Sequence, residues 1–236
     1  MEVIAVRIDG DRLRKIAREV ALHTPLRAHM SPRYQYLHTP AELVFLCRCL
    51  DETRHIPGCI VEVGCYRGET TLYLNYHMTS EGIEKPYVAM DTFSGFTGAD
   101  LDVDVRHGKD REIYRDRFGF NDRRWFDEAM LRNHWITKGR VRSIAADAGT
   151  FDFAQLAPIA FCLMDVVLYE PTSLALARTW DVLSTGGVIV VDSIDPSLQE
   201  AHAHLGSRQA YQEFVEGLGL DPRIEHEEYC VLKRQA

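Results

Sequence analysis

The sequence predicts an α/β protein, a largely parallel sheet with helices packed on both faces. Three observations carry this. Short apolar runs alternate with stretches of helical periodicity along most of the chain. Successive runs end at or just before an aspartate: Asp91, Asp147, Asp165 and Asp192. The first run leads through a glycine-bounded turn directly into a helix pattern. Continuous rather than alternating apolar strands are the mark of a sheet buried on both sides.

Taken in order, residues 11–23 and 40–55 read as amphipathic helices, and Pro40 suits the first turn of the second. Between them HMSPRYQYLHT is polar and aromatic without a period. The first strand is CIVEV at 59–63, after Pro57-Gly58, followed by a helix over 68–79. PYVAM at 86–90, VRSIA at 141–145, AFCLM at 160–164 and GVIVV at 187–191 are the next four strands. Thr172 to Leu183 reads as a helix closed by Gly186-Gly187, residues 207–218 as another helix, and 223–233 as a terminal hairpin. Residues 97–134 are too long for a simple crossover and dense in charge, which suggests a lid or acceptor-binding element. The chain is expected to be one domain over 1–236, with 1–56 as an N-terminal helical cap.

Composition narrows the function. Among 236 residues, 35 acids outweigh 27 bases for a formal charge of −8, which disfavours nucleic acid and anionic membranes as partners. No apolar run reaches the ~18–20 residues of a membrane span. The N-terminus lacks the apolar block of a signal peptide, so a cytoplasmic location is expected. Cysteines 47, 49, 59, 65, 162 and 230 form no CxxC pair and sit mostly in apolar runs, as buried reduced thiols do.

In an open α/β sheet, ligands bind outside the carboxyl ends of the strands, where the four aspartates would meet. The sharpest motif is Glu62-Val-Gly64-Cys-Tyr66-Arg-Gly68-Glu-Thr70, between a strand and a helix. A dinucleotide fingerprint places a second glycine where Tyr66 stands, because the backbone must reach a pyrophosphate. Its absence argues against NAD and for a nucleoside without phosphates, such as S-adenosylmethionine. Asp91-Thr92-Phe-Ser94-Gly-Phe96 can accept both ribose hydroxyls from a closely wrapped loop. Asp147-Ala148 offers a carboxylate for an exocyclic amine and an apolar neighbour for a ring face. Asp165 and Asp192 could hold a hard cation such as Mg²⁺. Two other patterns fail. Asp100-x-Asp102-x-Asp104 resembles an EF-hand start but has Val105 and Arg111 where glycine and glutamate belong. His202-x-His204 lacks a third ligand.

GCIVEVGCYRGETT, AMDTFSGF, FCLMDVVLYEPTSLAL, LSTGGVIVVDSID and GSRQAYQEF, in that order over residues 57–218, resemble the macrocin O-methyltransferase family, class I enzymes that methylate sugar hydroxyls of natural products. The resemblance implies a Rossmann-like seven-stranded mixed sheet of order 3-2-1-4-5-7-6. It implies S-adenosylmethionine beside Glu62, Gly64, Gly68, Thr70, Asp91 and Asp147. It also implies a divalent metal held by Asp165 and Asp192. The family's Asp-x-Asp-Leu-Tyr is Asp165-Val-Val167-Leu-Tyr169 here, and its Asp-Asp pair is Asp192-Ser193, so two acids are missing. Ser193 is then at best a neutral ligand, and Asp195 a substitute by a shifted loop. No general base is assigned. His107 and His134, in the 97–134 insertion, and His29 and His38, in the N-terminal stretch, are the candidates, because imidazole titrates near neutrality.

The reading is an S-adenosylmethionine-dependent O-methyltransferase acting on a sugar or glycoside hydroxyl with Mg²⁺, as a homo-oligomer. The alternatives are a metal-independent enzyme for a phenol or carboxylate, and a non-catalytic relative that only binds the nucleoside.

Overall fold

Cys59–Val63 forms the central strand, β1, and every residue after Cys59 is buried. In the computed structural model of the chain, the described residues are 10–24, 34, 36–106, 118–119, 121–193, 206–226 and 229–235. Contacts divide the chain into residues 1–35 and residues 36–236. The first unit contains helix α1 (Gly10–Leu22), whose Leu13, Ile16 and Val20 stand exposed along one face.

The second unit opens with α2 (Pro40–Thr53), entered through a capping box. The Thr39 hydroxyl accepts from the Glu42 N–H, and the Glu42 carboxylate accepts from the Thr39 N–H at 2.7 Å. After β1 come α3 (Glu69–Ser80), β2 (Tyr87–Asp91), α4 (Gly98–Arg106), α5 (Arg123–Arg132) and β3 (Val141–Ala145). A short 3₁₀ turn precedes β4 (Ile159–Met164), followed by α6 (Tyr169–Val182), β5 (Leu183–Asp192), α7 (Ser207–Gly217), β6 (Ile224–Glu225) and β7 (Tyr229–Lys233). The sheet runs β3-β2-β1-β4-β5-β7-β6, the expected order. Only β7 runs against both its neighbours.

Alternation along β1 divides the core. Ile60 joins Leu46, Leu74, Phe126 and Phe161 on one face, while Val61 and Val63 join Phe153, Met164, Leu176 and Tyr211 on the other. The cysteines are free thiols, all buried except the half-buried Cys59. Burial pushes Cys47 and Cys49 up to about 12, so neither is a nucleophile near neutrality.

The largest differences from the sequence reading lie around α6 and β5. Helix α6 starts at Tyr169, three residues before Thr172, because the Asp104 carboxylate on α4 accepts from the Tyr169 N–H at 2.9 Å and satisfies the helix start. Gly186-Gly187 does not close that helix, which ends at Val182; both glycines lie inside β5. There the pairing with β4 jumps from Ile159↔Leu183 to Phe161↔Val188, so β5 bulges, and Gly186 supplies the φ of +81° that the bulge needs.

Glu62 points into the first face and is 2% exposed. The Thr71 hydroxyl on α3 and the Tyr87 hydroxyl on β2 both donate to its Oε2, at 2.5 and 2.7 Å. Burial raises its pKa to about 7, against the opposing pull of those two donors. A carboxyl whose folded pKa lies above its unfolded value stabilises less as pH rises through that interval. The Glu62 contribution is therefore full below about pH 4.5 and falls by roughly 3 kcal/mol by pH 8. A glutamine carbonyl accepts the same two bonds without a charge. Glu62→Gln should flatten the decline in chemical-denaturation midpoint between pH 5 and pH 8 that the parent shows.

Candidate active site

The ends of β1 and β4 approach each other at Gly64. The Asp165 N–H donates to the Val63 carbonyl at 2.7 Å, and a Cβ on Gly64 would lie 2.1 Å from the Asp165 carbonyl oxygen. Gly64 also holds a φ of +91°, so no other residue fits. The turn continues through Tyr66, at φ +45°, to Gly68, at φ +90°, which packs on Phe126 and Met130 of α5.

Asp91 ties this turn to the loop after β2. Its carboxylate accepts from the Tyr66 N–H and the Phe93 N–H, each at 2.8 Å, and from the Asn121 side chain at 3.4 Å. Burial raises its pKa, and those three donors act in the opposite direction. Asn121 was not singled out in the sequence, since an isolated asparagine in a charged segment carries no signal.

These turns frame an open crevice at the carboxyl ends of the strands. Its walls come from the carboxyl ends of β1, β2, β3 and β4, where the sheet order reverses around β1. Gly64, Tyr66, Asp91, Thr92, Phe96, Asp147, Ala148 and Asp165 line it, as does Val167. Thr97, Asp100 and Phe118 show that the 97–134 segment supplies part of the wall. Phe118 meets Tyr66 and Phe96 edge-on, at 5.2 and 5.7 Å between ring centroids. The Arg67 guanidinium lies 4.9 Å over the Tyr66 ring.

Other expected binding residues sit elsewhere. Glu62 lies under the turn and supports it, as described above. Gly68 caps α3 and Thr70 lies in its first turn; neither lines the crevice. Ser94 is exposed and donates its N–H to the Thr92 hydroxyl. Asp147 lines the crevice, but one carboxylate oxygen already accepts from the Gly149 N–H at 2.7 Å.

At the β4–β5 end, Asp165 and Asp192 converge with His38, offering ligand atoms within 4.8 Å of one another. Asp192 is 8% exposed and Asp165 30% by side chain. Burial lowers the His38 pKa, opposed by the Glu42 carboxylate. Ser193 is fully buried, with its hydroxyl in reach of the Cys230 thiol. His134 is exposed beside Trp135 and does not line the crevice. His29, His107, Asp195, His202 and His204 lie outside the described residues.

A seven-stranded sheet of this order, with a crevice over the carboxyl end of β1 and an acid ending β2, defines a class I S-adenosylmethionine-dependent methyltransferase. Residues 17–231 match the macrocin-O-methyltransferase (TylF) family, and the chain belongs to it. Among solved structures, the O-methyltransferase NovP is similar with a TM-score of 0.64 and 17% identity, over 83% of this chain and 80% of that one. The calicheamicin methyltransferase CalS11 is similar at 0.61 and 17%, over 97% and 94%. No curated protein sequence matches the chain.

Gly64→Ala should cost about 2–4 kcal/mol, from backbone strain and the clash with the Asp165 carbonyl. Urea denaturation would measure the loss, which should exceed that of Gly82→Ala, where a Cβ meets nothing within 4 Å.

Proposed function

We propose that this chain transfers the methyl group of S-adenosylmethionine to a hydroxyl of a sugar or glycosylated natural product, assisted by a divalent metal ion. The observation that carries this reading is the crevice at the strand ends, lined by both Asp91 and Asp165, with Asp165 also meeting Asp192 and His38 in one cluster of ligand atoms. The family supports methyl transfer to oxygen. Sugar as the acceptor class is supported by the family's namesake activity and by a second structure of CalS11, described as a TDP-rhamnose 3'-O-methyltransferase, with a TM-score of 0.55 and 16% identity over 97% of this chain and 96% of that one.

The roles follow from the geometry. Asp91, held by two backbone N–H groups, presents its remaining acceptor capacity to the ribose hydroxyls. Tyr66, Phe96 and Phe118 offer ring faces and edges to an adenine and exclude water from it. Asp91, Asp100, Asp147 and Asp165 give the crevice an acidic lining suited to a ligand that carries a sulfonium and an ammonium group. Methyl transfer is an in-line displacement, so the chain contributes position and electrostatics while the donor supplies the electrophile.

The corner's donors fit a divalent cation: two carboxylates and an imidazole nitrogen, partly withdrawn from water. Asp165 and Asp192 would hold the ion, which when bound lowers the pKa of an acceptor hydroxyl and fixes its direction. Ser193, turned toward Cys230, is less well placed than either carboxylate. The 97–134 segment reads as the acceptor-facing element, because its described part already supplies crevice wall.

Asp91→Ala should weaken S-adenosylmethionine binding about tenfold, as expected for lost hydrogen bonds to a charged group, and calorimetric titration would show it. An unchanged dissociation constant removes Asp91 from the donor site. Asp192→Ala should abolish turnover of a sugar acceptor while donor binding persists. Full activity in that variant with a chelator present would support metal-independent methylation of a more acidic acceptor instead.

A further inference from the structure

We propose that His38 is a nitrogen ligand in the metal corner, beside Asp165 and Asp192, and that it makes the corner select a first-row transition-metal dication over Mg²⁺. The inference deepens the metal-assisted reading above and rests on it.

The backbone presents His38 at a fixed place. It immediately precedes the Thr39–Glu42 capping box, with Pro40 opening α2, so the chain entering the helix has little freedom. The ring is 3% exposed, so its polar atoms are withdrawn from bulk water. Two carboxylates flank it: Asp165 Oδ2 lies 3.8 Å from Nε2, and Asp192 Oδ2 lies 3.5 Å from Nδ1.

The other ring nitrogen has the partner that a ligating histidine needs. In the β5–β7 pairing, Tyr229 lies directly across from Asp192, and its hydroxyl is 2.9 Å from His38 Nδ1. With Nδ1–H donating to Tyr229, the Nε2 lone pair is directed to the Asp165 side. A hydrogen bond at the far nitrogen is the usual device for fixing tautomer and ring orientation at a metal. Tyr229 is thereby a positioning residue.

Asp165 faces the ligating nitrogen, while Asp192 lies nearest the other one and would turn its carboxylate to join the same ion. Donors bonded to one ion at ~2.1 Å stand ~3.0 Å apart when adjacent and ~4.2 Å when opposite. The 3.8 Å between Nε2 and Asp165 already falls inside that interval. Two carboxylates and a neutral imidazole carry two negative charges, which a dication neutralises. Mg²⁺ prefers oxygen alone, whereas imidazole binds Fe²⁺, Co²⁺, Ni²⁺ and Zn²⁺ well. Val167, on the same loop, adds wall to the crevice but no oxygen donor from its side chain.

The test uses the full chain stripped of metal, titrated separately with Co²⁺ and Mg²⁺ by calorimetry. Proton NMR of the Co²⁺ form supplies a readout independent of activity. Co²⁺ should bind one equivalent at least about thirtyfold more tightly than Mg²⁺, and a contact-shifted exchangeable imidazole N–H should appear. His38→Ala should weaken Co²⁺ about a hundredfold, leave Mg²⁺ within about threefold and erase the shifted resonance. Tyr229→Phe should keep the resonance, move its shift and weaken Co²⁺ about tenfold. Equal affinity for the two ions, or no shifted imidazole signal from the unsubstituted protein, overturns the proposal even where His38→Ala fails to fold. S-adenosylmethionine titrated into the same samples separates the two readings. Donor binding without the imidazole signature defeats the ligand assignment alone. The signature without donor binding defeats methyl transfer and leaves the ligand assignment standing.

Discussion

The crevice exists because two backbones touch where β1 and β4 end. Gly64 lies so close to the Asp165 carbonyl that a single extra carbon cannot be fitted. That contact draws the two strand ends together, sends the β1 turn toward Asp91 and the β4 loop away from it, and leaves open space above. The hydrogen bonds of the neighbouring turns depend on it. The Gly64 and Cys65 N–H groups both donate to the Met90 carbonyl, and the Tyr66 N–H reaches Asp91 only because the turn has already been bent. A larger residue at this position would displace the ligand-facing loops together.

Around this contact, four carboxyl groups do different work because they are buried to different degrees. Glu62 is buried among two hydroxyl donors and acts as a neutral or shared-proton strut beneath the turn. Asp91 stands at the crevice wall, where accepted backbone N–H groups substitute for water and act against the burial that raises its pKa. Asp165 remains partly open to solvent, while Asp192 is nearly closed off beside an imidazole. A charge-pattern reading of the sequence treats these acids as equivalent strand-end residues. Their distinct roles appear only when the depth of each side chain is known.

The elements that rest on local periodicity were legible from the sequence: β1, β3 and the strand ends at Asp91, Asp165 and Asp192 lie where the apolar runs put them. Strand order was legible only through the resemblance, since nothing in an apolar run says which neighbour it will choose. Boundaries failed where a distant residue intervened. The start of α6 depends on Asp104, 65 residues earlier, and the β5 bulge depends on pairing with β4. Within the site, the glycine turn and the Asp91 loop were readable as contiguous motifs. Glu62 entered as a ligand neighbour only through the resemblance, and along β1 the two-residue alternation turns its side chain to Thr71 and Tyr87. His38 could be named only as one histidine among several, because its neighbours come from three other parts of the chain.

The hydrogen bond between His38 and Tyr229 joins residues 191 positions apart. A contact of that span closes late, since loop closure must be met before it contributes. During synthesis from the N-terminus, β1 to β4 and the residues that line the crevice are made while the last strand is still missing, and His38 then lacks its hydroxyl partner. A polypeptide cut short before β7 would keep the crevice-lining residues and lack the hydroxyl that faces His38.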